Sequence, residues 1–510
     1  MVGAMVQASA PPTHSDVIVA GGGPAGATIA RLLSEYGLRV VVLERHTFPR
    51  YRIGESLTPR ILPIFDFLHL RSEVEQAGFL PIAGHTVCWG EAAPRTAYYS
   101  PDRSRRGFQV WRADFDALLL ERARQAGVQV CEGQAVEAVS LPPDSAEVQV
   151  RTASQHRITA AFFVDATGHS GLLARQGLRR RNRGFQTLAL TAYWRDVAEP
   201  QGIEIGNTLV EAYADGIVWS LALHTGLRNV TLLVDWRTGA DIRRTGLAEV
   251  YRAELGKAAH ISGLLEGARI ATTPQAADAT LYTATQFGDA RFLLVGDAGL
   301  FIDPLSSEGV HKAMASALTG AVVVNTVLRR PAMQTHALGF YDQRQLQTYA
   351  SHYQQSLDYY RQEQRWPDSP FWRARVGAAP SQAIPPAPST AQVSTSRRLS
   401  HLKWAPGVSI QQRPTIEGAY ISLRDTVIAP RYSDGVRFLE RLCLPTLLRI
   451  VAQQPAIAKI IPAYLNHPDG RGCPPEAVRQ GLARCFQEGI VVEAQPESVH
   501  SGGASAFTKR

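Results

Sequence analysis

Continuous apolar runs separated by a glycine-rich turn open the chain and predict buried parallel strands. Residues 16–20 read Asp-Val-Ile-Val-Ala, and such an unbroken run is typical of a strand covered on both faces. A glycine-rich turn over 21–26, a helical run over 27–36 and a second apolar run over 39–43 follow. This order of strand, turn, helix and strand predicts a βαβ unit.

The pattern changes in the middle of the chain and then returns. Residues 216–223 and 229–235 alternate between apolar and polar positions, which predicts antiparallel strands with one solvated face. Residues 291–298 again form a buried strand, and a long apolar helix runs from Val310 to about Leu328. We therefore predict an α/β domain that is interrupted by an antiparallel sheet domain.

The C-terminal part has a different texture. Proline, alanine and serine dominate residues 377–396, as in linkers, and helical spacing returns at 438–442 and 447–451. The predicted organisation is a disordered extension over 1–13, an α/β domain over 14–184 and 290–376, a substrate-binding sheet domain over 185–289, a linker over 377–405, a small mainly helical domain over 406–494 and a disordered tail over 495–510.

Composition excludes several classes of function. The 510 residues carry 53 basic and 45 acidic side chains, a net charge of +8, but the basic residues are dispersed, so we expect no nucleic-acid partner. Five scattered cysteines without a CxxC pair predict neither a metal site nor a disulfide framework. No apolar run reaches the roughly 18 residues of a membrane span, and no secretory signal is visible. We expect a cytoplasmic protein.

The glycine turn carries the first chemical signal. Gly21, Gly23 and Gly26 have the GxGxxG spacing, which lets a pyrophosphate approach the backbone and packs the helix closely on the strand. The helix N-terminus favours negative charge there. Glu44 follows the second strand, where an acceptor for a ribose hydroxyl belongs. The sequence therefore predicts an adenine dinucleotide site.

Two later strand ends and a helix start add polar groups. Residues 162–168 end a strand in Asp-Ala-Thr-Gly, and residues 291–297 end another in Gly-Asp. Arg112 directly precedes a predicted helix, from where it can reach a phosphate.

These motifs together resemble the flavoprotein monooxygenases of the glutathione-reductase-like superfamily, the group that contains p-hydroxybenzoate hydroxylase. The resemblance covers about residues 14–376 and implies FAD in a glutathione-reductase-like Rossmann domain. Asp297 is then expected to bind the ribityl chain, and residues 304–309 to lead a helix N-terminus toward the flavin ring. The implied cofactor residues are Gly21, Gly23, Pro24, Ala25, Gly26, Glu44, Arg45, Arg52, Glu55, Ser56, Arg112, Asp297, Pro304, Gly309 and Val310.

A narrower set of motifs is similar to the flavin-dependent halogenases. These motifs are Gly54-Glu55-Ser56, Ala77-Gly78-Phe79, Cys88-Trp89-Gly90, residues 301–309 and an aromatic-rich stretch over 353–372. That family places a lysine shortly before the Trp-Gly pair, and this chain has none between Gly78 and Gly90, where Ile82 stands. The family's Trp-x-Trp-x-Ile-Pro motif is also absent, and only Trp219 matches it.

Without the lysine, direct oxygen transfer is favoured over halogenation. We predict an FAD-dependent monooxygenase that hydroxylates an aromatic or indole-like substrate, free, carrier-bound or peptide-bound, through a flavin C4a-hydroperoxide. NAD(P)H or a separate flavin reductase would supply electrons, because no second GxGxxG follows a strand. Two alternatives stay open, a halogenase and a flavin-dependent reductase of isoprenoid double bonds. The catalytic candidates are Glu308, His311 and Trp219, with His85 and His224 on weaker grounds.

Overall fold

The structure, a computed structural model, describes residues 10–91, 93–199, 204–378, 401–439 and 441–494. Within these residues the chain divides into two compact units, one over 10–378 with 418–420 and one over 401–417 with 421–494. Residues 1–9 of the predicted extension, 379–400 of the predicted linker and the predicted tail over 495–510 lie outside the described residues.

The first unit contains twenty strands and ten α-helices in its described part. Its strands are β1 (His14–Ala20), β2 (Val40–Leu43), β3 (Ser56–Leu57), β4 (Leu80–Ile82), β5 (Gly84–Cys88), β6 (Arg95–Tyr98), β7 (Gly107–Gln109), β8 (Gln129–Cys131), β9 (Val136–Ser140), β10 (Val148–Thr152), β11 (Arg157–Asp165), β12 (Arg179–Arg181), β13 (Thr187–Arg195), β14 (Thr208–Tyr213), β15 (Gly216–Ala222), β16 (Arg228–Asp235), β17 (Arg269–Ile270), β18 (Gln275–Asp278), β19 (Tyr282–Ala284) and β20 (Phe292–Leu294). Its helices are α1 (Pro24–Glu35), α2 (Leu62–Phe67), α3 (Arg71–Gln76), α4 (Arg112–Gln125), α5 (Thr238–Thr245), α6 (Leu247–Leu255), α7 (Ala259–Leu264), α8 (Gly309–Arg329), α9 (Gln334–Gln362) and α10 (Pro370–Val376).

The main sheet has the order β8-β2-β1-β11-β10-β9, and β20 pairs with the C-terminal half of β11. Strands β8, β2, β1, β11 and β20 are parallel, and their carboxyl ends meet at one edge. Val17–Ala20 and Val40–Leu43 are completely or almost completely buried, as the continuous apolar runs predict. Helices α1, α4 and α8 pack together beside this sheet. The predicted Rossmann-type α/β domain is confirmed.

An antiparallel sheet forms the second layer of the unit. Its order is β17-β13-β16-β15-β14-β5-β6, and β18 also pairs with β13. The strands from 187 to 278 fall in the segment predicted to form this sheet. Strands β5 and β6, by contrast, come from residues 84–98, and β5 joins β14 in parallel. One face of the sheet packs on helices α6 and α7, where Tyr251 and Ile261 are buried.

The second unit has its own core and more strand than expected. Strands β21 (Leu402–Trp404), β22 (Ser409–Glu417), β23 (Tyr420–Ala429), β24 (Tyr432–Val436), β25 (Phe438–Leu439), β26 (Leu442–Cys443) and β27 (Val491–Glu493) accompany helices α11 (Leu444–Gln453), α12 (Ile457–Asn466) and α13 (Pro475–Gln487).

Two sequence predictions in this unit need correction. The helix predicted over 438–442 does not form. The segment instead contributes two short strands, β25 and β26, which pair in the antiparallel sense. Residues 402–404, predicted as linker, pair with β27.

Candidate active site

A cavity of about 680 Å³ lies at the carboxyl ends of β1, β2, β11 and β20 in the first unit. Parallel sheets bind ligands at this edge, and the volume falls in the range of about 300–1,000 Å³ typical of small-molecule sites. One face of the antiparallel sheet forms the opposite wall. All the cofactor residues predicted from the sequence line this cavity except Gly26, which lies beneath the glycine turn.

The glycine turn is fitted to its surroundings at two positions. Gly21 has a φ of +100°, and a Cβ there would stand 2.4 Å from the carbonyl oxygen of Ala166. A Cβ on Gly26 would stand 1.8 Å from the carbonyl oxygen of Gly21. These two glycines let α1 and the end of β11 close on the turn, so that the helix begins at the cavity wall with Pro24 in its first turn.

Glu44 ties the end of β2 to the glycine turn. One oxygen of its carboxylate accepts a hydrogen bond from the Gly22 amide at 2.8 Å, and the other accepts one from the His46 amide at 2.9 Å. The side chain is buried and borders the cavity. A carboxylate fixed in this way is positioned to accept further hydrogen bonds from a ligand hydroxyl.

Four arginines give this end of the cavity a positive charge. Arg45, Arg50, Arg52 and Arg112 all line it. Burial, with help from Arg50 and Arg45, lowers the pKa of the Arg52 guanidinium. Arg112 is held by Asp116 at 2.8 and 3.0 Å and by the carbonyl oxygen of Ile53 at 2.9 Å. Crowded guanidinium groups of this kind suit a pyrophosphate.

Asp297, which follows β20, supplies a second fixed carboxylate. Lys312 from α8 donates to Oδ1 of Asp297 at 2.5 Å and to the carbonyl oxygen of Leu300 at 2.6 Å. Tyr282 donates to the carbonyl oxygen of Asp297 at 2.6 Å. Among the described residues no donor reaches Oδ2 of Asp297, which leaves this oxygen for a ligand hydroxyl.

Hydrogen bonds to Asp303, a residue of the cavity wall, hold the turn before α8. Asp303 accepts a hydrogen bond from the Leu305 amide at 3.0 Å and another from the hydroxyl of Tyr360. Burial raises the pKa of the Asp303 carboxyl. Pro304 and Ser307 line the cavity along this turn, and Gly309 and Val310 line it at the start of α8.

The sheet wall is mostly apolar. The strand register places Val210, Trp219 and Thr231 side by side on β14, β15 and β16. All three border the cavity, as do Ala189 and Leu221. Trp219, a catalytic candidate from the sequence, therefore lies on the cavity wall.

The other two catalytic candidates are placed differently. Neither Glu308 nor His311 is among the described residues that line the cavity. Glu308 accepts a hydrogen bond from Thr58 at 2.8 Å and pairs with His311 Nδ1 at 2.9 Å. Burial opposes ionisation of Glu308, but His311 and Thr58 outweigh it and keep the pKa of its carboxyl below the ordinary value. The Glu308–His311 pair therefore stabilises the turn before α8 without lining the cavity.

The weaker histidine candidates also lie elsewhere. His85 is on β5 beside Tyr99, and burial lowers the pKa of its imidazole. His224 lies 3.8 Å from Asp114 and packs edge-on against Phe79. Neither is among the described lining residues.

His169 was not identified from the sequence, although it directly follows the Asp-Ala-Thr-Gly strand end. It lines the cavity and packs edge-on against Tyr282 and Phe301. Burial lowers the pKa of its imidazole, which favours the neutral form. Its position at the carboxyl end of a parallel strand was the available signal.

Lysine is missing from the described cavity wall. The segment 79–91 carries none, and Ile82 is completely buried on β4. Lys312 is buried and donates hydrogen bonds to Asp297 and to the carbonyl oxygen of Leu300.

The site fits FAD on its own geometry. The glycine turn begins α1 at the cavity wall, where helix N–H groups suit a pyrophosphate, the arginines match the phosphate charge, and Glu44 and Asp297 present acceptor oxygens at two separate points. Among the described helices none is both long and apolar enough to cross a membrane.

Comparison with known proteins agrees with this geometry. The family model for an FAD binding domain matches residues 14–354. Tryptophan 2-halogenase from Chondromyces crocatus is 34% identical over 340 residues, which are 65% of this chain and 65% of that protein. The chain thus spans just under two thirds of the length of this relative.

Solved structures give the same picture. The myxobacterial chondrochloren halogenase CndH is 33% identical with a TM-score of 0.66, covering 71% of this chain and 86% of its own. The peptidyl tryptophan dihydroxylase QhpG is 25% identical with a TM-score of 0.71, covering 94% and 100%. Because the family model spans well over half of the chain, this protein belongs to the FAD binding domain family, and FAD is its cofactor.

Proposed function

We propose that this protein is an FAD-dependent monooxygenase that hydroxylates an aromatic, indole-like substrate. The observation that carries the proposal is a cavity that joins an FAD cradle to a mostly apolar sheet wall bearing Trp219, with no lysine among its described lining residues. A halogenase of the type described above needs a lysine amine to hold an electrophilic halogen. Without such an amine, a substrate on the sheet wall meets the cofactor directly.

The residues of this chain divide the work between two sides. The glycine turn, the arginines, Glu44 and Asp297 bind and orient FAD, which supplies activated oxygen when it is reduced. Trp219 and the neighbouring apolar side chains orient a flat ring and exclude water. The paired Glu308 and His311 stabilise the turn that leads into α8.

The relatives support an indole-like substrate. One is named a tryptophan 2-halogenase and another a peptidyl tryptophan dihydroxylase, so both act on tryptophan or on tryptophan in a peptide. The solved dihydroxylase covers nearly the whole of this chain, including its C-terminal part. We therefore include peptide-bound and carrier-bound tryptophan among the proposed substrates. We further propose NAD(P)H or a partner flavin reductase as the electron source, and the cytoplasm as the location.

Halogenation is the second candidate function, and it rests on the sequence similarity to the two named halogenases. The test is incubation with reduced FAD, oxygen, bromide and either tryptophan or a tryptophan peptide, followed by mass spectrometry. Oxygenated products that do not depend on bromide support the proposal. Brominated product would establish the halogenase instead. Turnover without oxygen, on an isoprenoid double bond, would establish the reductase.

A further inference from the structure

We propose that an arginine-rich segment over residues 175–183, the arginine band, attracts reduced FAD to the cavity and speeds its binding. The inference rests on the proposed function, because it takes a separate flavin reductase as the source of reduced FAD in solution. It gives a task to a segment between β11 and β13 that is not among the described lining residues of the cavity.

The arginine band is a dense run of positive charge in a chain whose basic residues are otherwise dispersed. Its nine residues contain no acid and five arginines, which are Arg175, Arg179, Arg180, Arg181 and Arg183. Arg179 is half-buried, and the other four are exposed. Among the described residues, Asp278 supplies the only carboxylate within 4 Å of these guanidinium groups, at 2.9 Å from Arg181. Most of the charge of the band is therefore unpaired.

A second arginine cluster, over 103–106, is partly neutralised. The carboxylate of Glu204 lies 3.9 Å from Arg103 and 3.8 Å from Arg106. A nearby opposite charge reduces the field that a cation exerts at a distance. The exposed arginines of the band other than Arg181 have no such partner in the described part of the chain. The band is therefore the stronger source of positive field of the two.

Two contacts join the arginine band to the cavity wall. Nη1 of Arg179 donates to the carbonyl oxygen of His169 at 2.9 Å, and its guanidinium lies 4.0 Å from the centre of the Tyr282 ring. Arg181 pairs with Asp278. His169 and Asp278 both line the cavity. The positive field of the band thus arises beside the cavity, where it acts on an anion that approaches the site.

FAD is the anion that this site receives. Its diphosphate is negatively charged at neutral pH, and a field of opposite sign raises the rate at which such a ligand finds its site, by about 10- to 1,000-fold in charged clefts. Direct contact is not needed, because the field extends over a Debye length of about 8 Å at physiological ionic strength. An uncharged indole-like substrate would gain nothing from the band.

The position of the band predicts an effect on association rather than on dissociation. None of its five arginines is among the described residues that line the cavity, so bound FAD keeps its contacts when they change. Peripheral charges mainly alter the association rate and its salt dependence. Fast association suits a protein that takes reduced FAD from solution, because oxygen oxidises free reduced flavin while it diffuses.

The test removes two charges from the band and compares the result with the loss of two charges elsewhere. The test variant is Arg180→Gln/Arg183→Gln, and the control is Arg243→Gln/Arg244→Gln, all four arginines being exposed. Reduced FAD is mixed anaerobically with FAD-free protein in a stopped-flow instrument. The quenching of tryptophan fluorescence gives the association rate constant.

The control pair belongs to α5, on the other side of the sheet from the cavity. Ile242 of this helix packs on a core that contains Val218 and Val230, whereas the next residues along the two strands, Trp219 and Thr231, line the cavity. Successive side chains of a strand point to opposite faces. The two variants therefore have the same net charge and differ only in where the charge is lost.

At about 10 mM salt, where the Debye length is about 30 Å, the association rate constant should fall about three- to tenfold in Arg180→Gln/Arg183→Gln and less than about twofold in the control. At about 1 M salt, where the Debye length is about 3 Å, both variants and the wild type should bind equally fast. The dissociation rate constant should not change.

An equal fall in both variants, no fall in either, or a fall that persists at high salt would overturn the proposal. A brominated product in the assay described above would overturn the proposed function alone, because reduced FAD binds in this measurement without substrate or bromide.

Discussion

At position 26 the chain leaves no room for a side chain. A Cβ on Gly26 would overlap the carbonyl oxygen of Gly21, whereas a Cβ on Gly339 in α9 would meet nothing within 4 Å. We expect Gly26→Ala to reduce stability by about 1–3 kcal/mol and to abolish FAD retention. The ratio of flavin to protein absorbance and a thermal melt measure both effects.

Gly339→Ala is the matched control, since the added methyl group meets nothing there and the residue lies outside the cavity wall. It should keep most of its FAD and melt within a few degrees of the wild type. Equal loss of FAD in both variants would contradict the claim that steric overlap at position 26 causes the loss.

Replacing Trp219 should weaken substrate binding and leave cofactor binding unchanged. Trp219 lies on β15 in the sheet wall, whereas the glycine turn and the arginines belong to other elements of the cavity. Trp219→Ala should therefore bind FAD normally and lose substrate-stimulated oxygen consumption by at least about tenfold, because the ring that orients the substrate is gone. Trp236, which is 53% exposed, provides the control Trp236→Ala. Loss of FAD from Trp219→Ala would contradict this division.

The turn between β20 and α8 depends on a neighbouring helix. Tyr360 on α9 donates to the buried carboxyl of Asp303, whose pKa burial raises and this hydrogen bond partly lowers. Tyr360→Phe should destabilise the protein by about 1–3 kcal/mol, because an acceptor loses its buried donor. The pKa of Asp303 rises further in the variant, so the loss should be larger at about pH 8 than at about pH 5.

Chemical unfolding at the two pH values checks this sign. A carboxyl with a raised pKa in the folded state contributes stability below its unfolded pKa and loses it as the pH rises. Tyr353→Phe, on the same helix, is the control, since Tyr353 stacks on Phe185 and has no hydrogen bond among the described contacts. A loss independent of pH would contradict the role of Asp303.

Elements with strong local patterns were predictable from the sequence. The run Val17–Ala20, the helix from Pro24 and the helix from Gly309 lie where the apolar spacing puts them. The pairing of β5 with β14 was not predictable, because 119 residues or more separate the two strands and no local pattern specifies the partner. The short strands at 438–443 failed for a related reason, since so few residues satisfy either period.

The same contrast holds for the site. Glu44, Arg112 and Asp297 line the cavity at the positions that the strand ends, the helix start and the family resemblance predict, while their roles toward FAD stay predictions. The buried polar side chains of Thr191, Tyr193 and Thr231 on the sheet wall were not predictable as a group. Only the register of β13 against β16 brings them together. Glu308 and His311 lie near the turn in sequence, but their side chains bond to each other and to Thr58.

At the scale of the whole molecule, the second unit has a core independent of the FAD site. Leu447, Leu448, Ile460 and Tyr464 are completely buried within it. We expect a fragment over 401–494 to fold cooperatively in a thermal melt followed by circular dichroism. Leu447→Ala should cost it about 2–5 kcal/mol. A fragment without a cooperative transition would contradict the independence of this core.

The central claim is that reduced FAD in this protein passes an oxygen atom to an aromatic ring. The most direct measurement is mass spectrometry of the product made from tryptophan or a tryptophan peptide under ¹⁸O₂ in the presence of bromide. We expect one or more ¹⁸O atoms from the gas in the product and no bromine. A brominated product, or an oxygenated product whose oxygen comes from water, would contradict the account.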